Sequence, residues 1–319
     1  MNAVFLDYKS LTPEDLNIQK IFDLPFQFTV HDATSHNQTA ERIQNAEVVL
    51  TNKVVLDKEL LEKNNQLKLV IILATGTNNV DLSAAKSCEI PVCNIRDYSS
   101  ESVAQHTIAC LLQLTRRLHE YRHAVESGGW SNSPFFCMTD FSISDLSGQT
   151  MGIIGYGAIA KRVHKLAEAF GMDVLISKSL VPGKTPKKDR VDLHELYKNS
   201  DVISIHCPLS PQSKNLIDFD AFSLMKNSAI LLNMARGGIV NEKDLLHAIQ
   251  NKTIKAAATD VLTQEPPPKN HILLRESYPN LLITPHVAWA SRQSRQQLVD
   301  QVYRILDEFL KGNVVNRVN

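Results

Sequence analysis

The sequence lacks long apolar runs, paired cysteines and an excess of charge of either sign, and each absence excludes a class of protein. No stretch of about 18 apolar residues occurs, which leaves no candidate for a membrane-spanning helix. The opening residues MNAVFLDYKS have neither the basic start nor the extended apolar core of a secretory signal, so a cytoplasmic protein is expected. Lys+Arg and Asp+Glu number 34 each. No basic field exists to attract nucleic acid or an anionic membrane, and neither is expected as a partner. The five cysteines, Cys88, Cys93, Cys110, Cys137 and Cys207, are odd in number and scattered, with no CxxC pair. That argues against a disulfide framework or a structural metal site and for reduced thiols. What is present is a hydrophobic content of 43% over 319 residues, enough for two buried cores.

Short β-branched runs alternate with helical patterns almost throughout. Strands are expected at Val4–Asp7, Phe26–Val30, Val48–Thr51, Leu67–Ala74 and Pro91–Ile95, with helices such as Thr39–Ala46 and Leu56–Lys63 between them. One long helix, from Ser99 to about Ser127, interrupts the rhythm, with Val103, Thr107, Cys110, Leu111, Leu114 and Leu118 at helical spacing. A turn-rich stretch with three aromatics, Trp130 to Phe136, follows it. The alternation then restarts with strands at Thr150–Ile154, Asp173–Ile176, Val202–His206, Ala229–Met234, Lys255–Asp260 and Leu281–Thr284, and a helix from about Ala288 to Leu310 closes the chain. Such βα alternation predicts parallel sheets covered on both faces: an α/β protein of two doubly wound units joined by a helical region.

The sharpest local signal is the passage from Thr150 to Ala160, where an apolar strand runs into Gly155-x-Gly157-x-x-Ala160 and then a helix with Ile159, Val163, Leu166 and Phe170 on one face. Gly155 permits a tight turn and Gly157 lets backbone approach a pyrophosphate. Ala160 allows close helix–strand packing. A helix N-terminus then offers N–H groups and a favourable dipole to the phosphates, so a dinucleotide is expected here. The next strand ends in Ser177-Lys178-Ser179, with no acid to hold a ribose 2′-hydroxyl, and Lys184, Lys187 and Lys188 follow. A lysine among hydroxyls suits a 2′-phosphate, so NADP(H) is favoured over NAD(H); the alternative is an ordinary solvated lysine cluster. Lys53, at the end of a first-unit strand, is read as a solvated lysine.

Open α/β sheets bind ligands beyond the carboxyl ends of their strands. After the later strands come Cys207-Pro208, Ala235-Arg236-Gly237, Asp260 with Glu265 beyond it, and Thr284-Pro285-His286. An arginine, two acids and a histidine are thus expected at one rim. Arginine matches a carboxylate and polarises the adjacent carbonyl. Histidine can exchange the alcohol proton, and a carboxylate beside it orients the ring. Each residue alone also has a bland reading, as a surface ion pair, a core histidine or a loop acid.

These motifs, with Ala74–Leu82 and Ser102–Thr107, resemble the D-isomer-specific 2-hydroxyacid dehydrogenases over essentially the whole chain. The best local matches are to the glycerate dehydrogenases, or hydroxypyruvate reductases. The resemblance implies a Rossmann cofactor domain at 99–287 and a flavodoxin-like substrate domain from 1–98 and 288–319, with an interdomain cleft. It implies His286 as general acid/base, Glu265 as its carboxylate and Arg236 as the substrate-binding group. Backbone N–H groups of Thr75, Gly76 and Thr77 would meet the substrate carboxylate. Around the dinucleotide it places Thr107, Gly155, Tyr156, Gly157, Ala158, Ile159, Ser177, Lys178, Cys207, Pro208, Met234, Ala235 and Asp260. It implies a homodimer through the arm at Trp130–Phe136, and no metal. Two departures stand out: Lys178 replaces the usual acid, and Met234 a smaller residue. The expected activity is reversible reduction of hydroxypyruvate and glyoxylate to D-glycerate and glycolate. Alternatives are a D-lactate-type or other 2-keto acid reductase of the same family and a nucleotide-sensing corepressor-like binding protein.

Overall fold

A computed structural model describes residues 1–183 and 187–319; Lys184, counted above with the charge near Lys178, lies outside the described residues. In chain order the elements are β1 (Asn2–Phe5), α1 (Gln19–Phe22), β2 (Gln27–Val30), α2 (His36–Ile43), β3 (Val48–Thr51), α3 (Lys58–Lys63), β4 (Leu69–Ile72), α4 (Leu82–Ser87) and β5 (Val92–Asn94). They continue with α5 (Ser100–Arg116), α6 (Leu118–Glu126), β6 (Thr150–Ile154), α7 (Ala158–Ala169), β7 (Asp173–Ile176), α8 (Leu193–Asn199), β8 (Val202–Ile205) and α9 (Phe219–Leu224). Last come β9 (Ile230–Asn233), α10 (Glu242–Gln250), β10 (Ala256–Thr259), β11 (Leu281–Ile283) and α11 (Arg292–Leu310). The chain divides into one unit of Met1–Ser99 with Ala290–Asn319 and a second of Ser100–Trp289.

Every named strand pairing is parallel, and the order in the first unit is β2-β1-β3-β4-β5, the flavodoxin-like doubly wound sheet. All residues of β3 and β4 are buried, as strands covered on both faces must be. Asp57 and Asp81 cap α3 and α4 by accepting the N–H groups of Leu60 and Ala84. Within this unit α11 returns to lie on the earlier segments, where the largely buried Arg295 makes a two-pronged ion pair with Asp15, at 2.7 and 2.8 Å. The same guanidinium donates to the carbonyls of Leu11, Thr12 and Ala290, so its charge and most of its N–H groups are satisfied.

In the second unit the order is β11-β10-β9-β8-β6-β7. A lone parallel bridge, Ser177 to Val191, stands beyond β7, where the third strand of the usual dinucleotide-binding sheet runs. The β8, β9 and β10 strands are buried throughout, between one core built on Ile203, Leu231 and Phe222 and another built on Leu111, Val163 and Leu232.

The helix expected at Thr39–Ala46 lies three residues earlier, at His36–Ile43, and two others differ more. The run Ser99–Ser127 is two helices, broken at Arg117, whose φ of 57° is left-handed. Arg117 side-chain bonds to Glu120 and the Pro279 carbonyl hold that turn, and both partners are invisible to helical periodicity. The closing helix starts at Arg292 rather than near Ala288, because Ser291 caps it by accepting the Ser294 N–H. All five cysteines are free thiols. Burial pushes Cys93 and Cys207 up to about 11 and Cys110 up to about 12, so these three stay protonated at neutral pH. Among the described residues no helix is long and apolar enough to cross a membrane.

Candidate active site

Strand register decides which loops of the second unit are neighbours. Thr259 of β10 stands opposite Asn233 of β9 and Ile283 of β11, while Asn233 faces Ile205, and Ile205 faces Ile154. Ile153 is in turn opposite Ile176. The segments that come after these residues therefore leave the sheet side by side, about 4.8 Å apart per strand. They carry Ser177-Lys178, Gly155, His206-Cys207, Met234-Ala235-Arg236, Asp260 and Thr284-Pro285-His286, which share one rim.

At Gly155, φ is 83°, and a Cβ would collide with the Cys207 backbone at 2.6 Å from its N, so only glycine fits. The turn is also tied to the next strand, since Gly155 N–H lies 3.4 Å from Ser177 Oγ. Gly157 opens α7 without a capping side chain, and a Cβ there would project into open space. Ala160 is fully buried against the core behind the loop.

His286 Nδ1 lies 2.6 Å from Glu265 Oε2, and Glu265 Oε1 accepts the Leu262 N–H at 2.9 Å. With Nδ1–H donated to the carboxylate, Nε2 is left as the atom for proton exchange. The His286 backbone is left-handed, with φ 54°, an uncommon state for a side chain branching at an aromatic ring. Asp260, buried at 2% exposure, braces it: its Oδ1 and Oδ2 accept the N–H groups of Val287 and Ala288, both at 2.9 Å. The His286 N–H donates to the Asp260 carbonyl at 2.8 Å, and Trp289 Nε1 donates to the His286 carbonyl at 2.9 Å. Arg236 follows β9 in a loop that Asn233 closes, accepting the Ala235 N–H and donating to the Arg236 carbonyl. Gly237 then packs on the Leu262–Thr263 backbone so closely that no side chain fits. That contact ties the arginine loop to the loop bearing Glu265.

Residues 108–288 match the family model described as D-isomer specific 2-hydroxyacid dehydrogenase, NAD binding domain. The chain is 41% identical over 317 residues to a glycerate dehydrogenase of Methylorubrum extorquens, spanning 99% of this chain and 98% of that protein. It is 38% identical to a hydroxypyruvate reductase of Blautia hydrogenotrophica over the full length of both. Among solved structures, an NADPH-dependent glyoxylate/hydroxypyruvate reductase of Sinorhizobium meliloti, in complex with NADP and malonate, superposes with a TM-score of 0.82 at 25% identity, over 99% of this chain and 96% of that one. The chain belongs to the D-isomer specific 2-hydroxyacid dehydrogenase family. It is an NAD(P)-dependent oxidoreductase.

For a 2-hydroxyacid dehydrogenase the glycine loop fits its dinucleotide: the uncapped start of α7 and the open space over Gly157 leave backbone free to meet a pyrophosphate. Tyr156, Ala158 and Ile159 lie on that loop, and Cys207, Pro208, Met234 and Ala235 on the adjoining ones. Thr107, by contrast, is fully buried on α5 and its hydroxyl donates to the Val103 carbonyl. Lys178 is exposed, and its N–H pairs with the Val191 carbonyl. In the first unit the Thr75–Thr77 bend follows β4. Its Thr75 hydroxyl donates to the Ile95 carbonyl at 2.9 Å, and Asn94 Nδ2 donates to the Thr75 carbonyl at 2.8 Å.

Sequence reasoning overlooked three groups. Arg190 lies next to the Ser177–Val191 bridge, with its guanidinium 4.3 Å over the Tyr156 ring and its side chain 11% exposed. Asp189 approaches its Nε to only 3.6 Å. Glu242 accepts the Thr263 N–H at 2.7 Å and meets His271 Nε2 at 3.1 Å. A second glutamate–histidine pair thus backs the loop that carries Glu265. His206 meets Ser204 Oγ at 2.8 Å, and burial drives its pKa down to about 4, so it is neutral. The only sequence signal for these residues was their position beside motifs already noted.

Proposed function

We propose that the protein reduces hydroxypyruvate and glyoxylate to D-glycerate and glycolate, and runs the reverse oxidation. The observation that carries this reading is the Glu265–His286 pair, held at 2.6 Å on the rim where the dinucleotide loop also emerges. The names of the relatives from Methylorubrum extorquens, Blautia hydrogenotrophica and Sinorhizobium meliloti support the substrate class. When bound, the nicotinamide supplies or accepts the hydride. Arg236 pairs with the substrate carboxylate and polarises the neighbouring carbonyl, a task suited to a permanently charged planar fork. His286 Nε2 gives its proton to the carbonyl oxygen as that oxygen gains charge, and takes it back in the oxidation. Glu265 holds the ring in the required tautomer and stabilises its cationic form. The N–H groups of Thr75, Gly76 and Thr77 are assigned to the substrate carboxylate, and Asp260 to the carboxamide of the nicotinamide.

NADP(H) is the proposed preference. No acid stands directly at the end of β7, where Ser177-Lys178-Ser179 follow, and Ser177, Lys178 and the Arg190–Tyr156 stack lie at that end of the sheet, a set suited to a 2′-phosphate. The assembly is read as a cytoplasmic homodimer through the arm, because Trp130, Phe135 and Phe136 are 51%, 72% and 92% exposed. The deciding experiment is a matrix of hydroxypyruvate, glyoxylate and pyruvate against NADPH and NADH, followed by nicotinamide absorbance. Hydroxypyruvate with NADPH should have the highest kcat/KM, and His286→Ala should lose on the order of a hundredfold or more. Full activity of His286→Ala removes the acid–base assignment. Equal or better kcat/KM with NADH removes the cofactor preference.

A further inference from the structure

Helix α5 grips the loop that carries His286 at two points. Ser102 Oγ donates to the Ala288 carbonyl at 2.6 Å, and His106 Nε2 meets Thr284 Oγ1 at 3.0 Å. Ser102 and His106 are four residues apart and so lie on one face of the helix. The two contacts fall on opposite sides of His286, at the beginning and end of the segment Thr284–Ala288. From Thr284 the connection continues inward, because its hydroxyl donates to Asp260 Oδ1 at 2.6 Å. Asp260 is the carboxylate that accepts the N–H groups of Val287 and Ala288.

Hydrogen counting fixes the direction of this chain. A threonine hydroxyl has one proton, and an ionised carboxylate can only accept. Thr284 therefore gives its proton to Asp260 and must accept from His106, which places a proton on His106 Nε2. A left-handed histidine backbone costs on the order of 1–3 kcal/mol and persists only where its surroundings over-determine it. Here those surroundings include Asp260 together with Trp289 and Glu265, and Asp260 is oriented in part by the hydroxyl that His106 holds. His106 keeps 22% of its side chain exposed, so it is not a core-filling residue.

We infer that His106 is a positioning residue: through Thr284 and Asp260 it sets the backbone of the loop that presents the His286 imidazole. The inference rests on the assignment of His286 as the acid–base group. Because the contact bears on the placement of the proton donor, its loss falls on turnover rather than on keto-acid binding.

The test uses the full-length protein with hydroxypyruvate and NADPH and compares His106→Leu, His106→Gln, Thr284→Val and the His106→Leu/Thr284→Val double variant. His106→Leu removes the donor, and kcat should fall about tenfold while KM for hydroxypyruvate stays within about twofold. His106→Gln keeps an N–H donor and should return kcat to within about threefold of wild type. Thr284→Val cuts the relay, so adding His106→Leu to it should cost less than about twofold more. Wild-type kcat in His106→Leu, failure of the glutamine to rescue, or additive losses in the double variant each overturn the inference. If His106→Leu does not fold, Thr284→Val alone decides: it should lower kcat about tenfold with KM for hydroxypyruvate within about twofold, and a wild-type kcat in it overturns the inference. Absence of keto-acid turnover in the wild type removes the proposed function and this inference together; a working wild type with indifferent variants removes this inference alone.

Discussion

Gly237→Ala is the substitution whose consequence is most directly set by geometry. A Cβ at position 237 would lie 2.0 Å from the Leu262 carbonyl oxygen and 2.5 Å from Thr263 N, all of it backbone, where real Cβ contacts stay beyond 3.0 Å. The arginine loop and the loop leading to Glu265 must then separate by about 1 Å. Overpacking of this kind costs roughly 1–3 kcal/mol, which a domain of this size tolerates. A shift of about 1 Å between groups that act together costs on the order of 10²-fold in rate. We therefore expect kcat/KM for hydroxypyruvate to fall about a hundredfold with the fold retained. The assay pairs nicotinamide absorbance with thermal unfolding by circular dichroism. Gly148→Ala serves as the control: its φ of 77° strains any side chain, yet nothing lies within 4 Å, so it should lose roughly 1 kcal/mol of stability and no activity. A folded Gly237→Ala protein within threefold of wild-type kcat/KM would refute the claim that this contact holds the two catalytic loops in register.

Gly157→Ala should leave the ligand-free melting temperature unchanged, since its Cβ meets no protein atom, but should raise KM for the dinucleotide about tenfold or more; an unchanged KM would remove that loop from the pyrophosphate site. Burial holds His206 near 4 against 6.5 when exposed, so the unfolded chain binds one more proton between those values. Its contribution is intact above pH 6.5 and fades as pH drops toward 4, by at most about 3 kcal/mol, and His206→Asn should flatten the acid limb of a urea-stability profile. Phe135→Asp with Phe136→Asp should convert a dimer to a monomer by light scattering; a wild-type monomer, or a variant that stays dimeric, counts against the arm as interface.

Much of this protein is legible in its sequence. Alternating apolar runs and helical stripes define two parallel sheets, because a strand buried on both faces has to be continuously apolar, as Val48–Leu50 and Leu69–Ile72 are. Gly155 marks the dinucleotide turn because its left-handed φ and the Cys207 backbone admit nothing larger, and Gly157 marks it by the open approach it leaves to a pyrophosphate. Even the residues at the rim, Arg236, Asp260, Glu265 and His286, stand out once the residues just past the end of each strand are considered together. Tertiary structure decided what spacing along the chain does not encode. Register alone brings Asn233, Thr259 and Ile283 abreast, and the Gly237 contact with Leu262 joins loops from different strands. The break at Arg117, the stacking of Arg190 on Tyr156 and the hold of His106 on Thr284 all depend on partners distant in sequence or on the opposite side of a loop. Local periodicity reports which face of an element is buried, whereas a polar side chain's role is set by whichever group the folded chain brings within hydrogen-bonding distance.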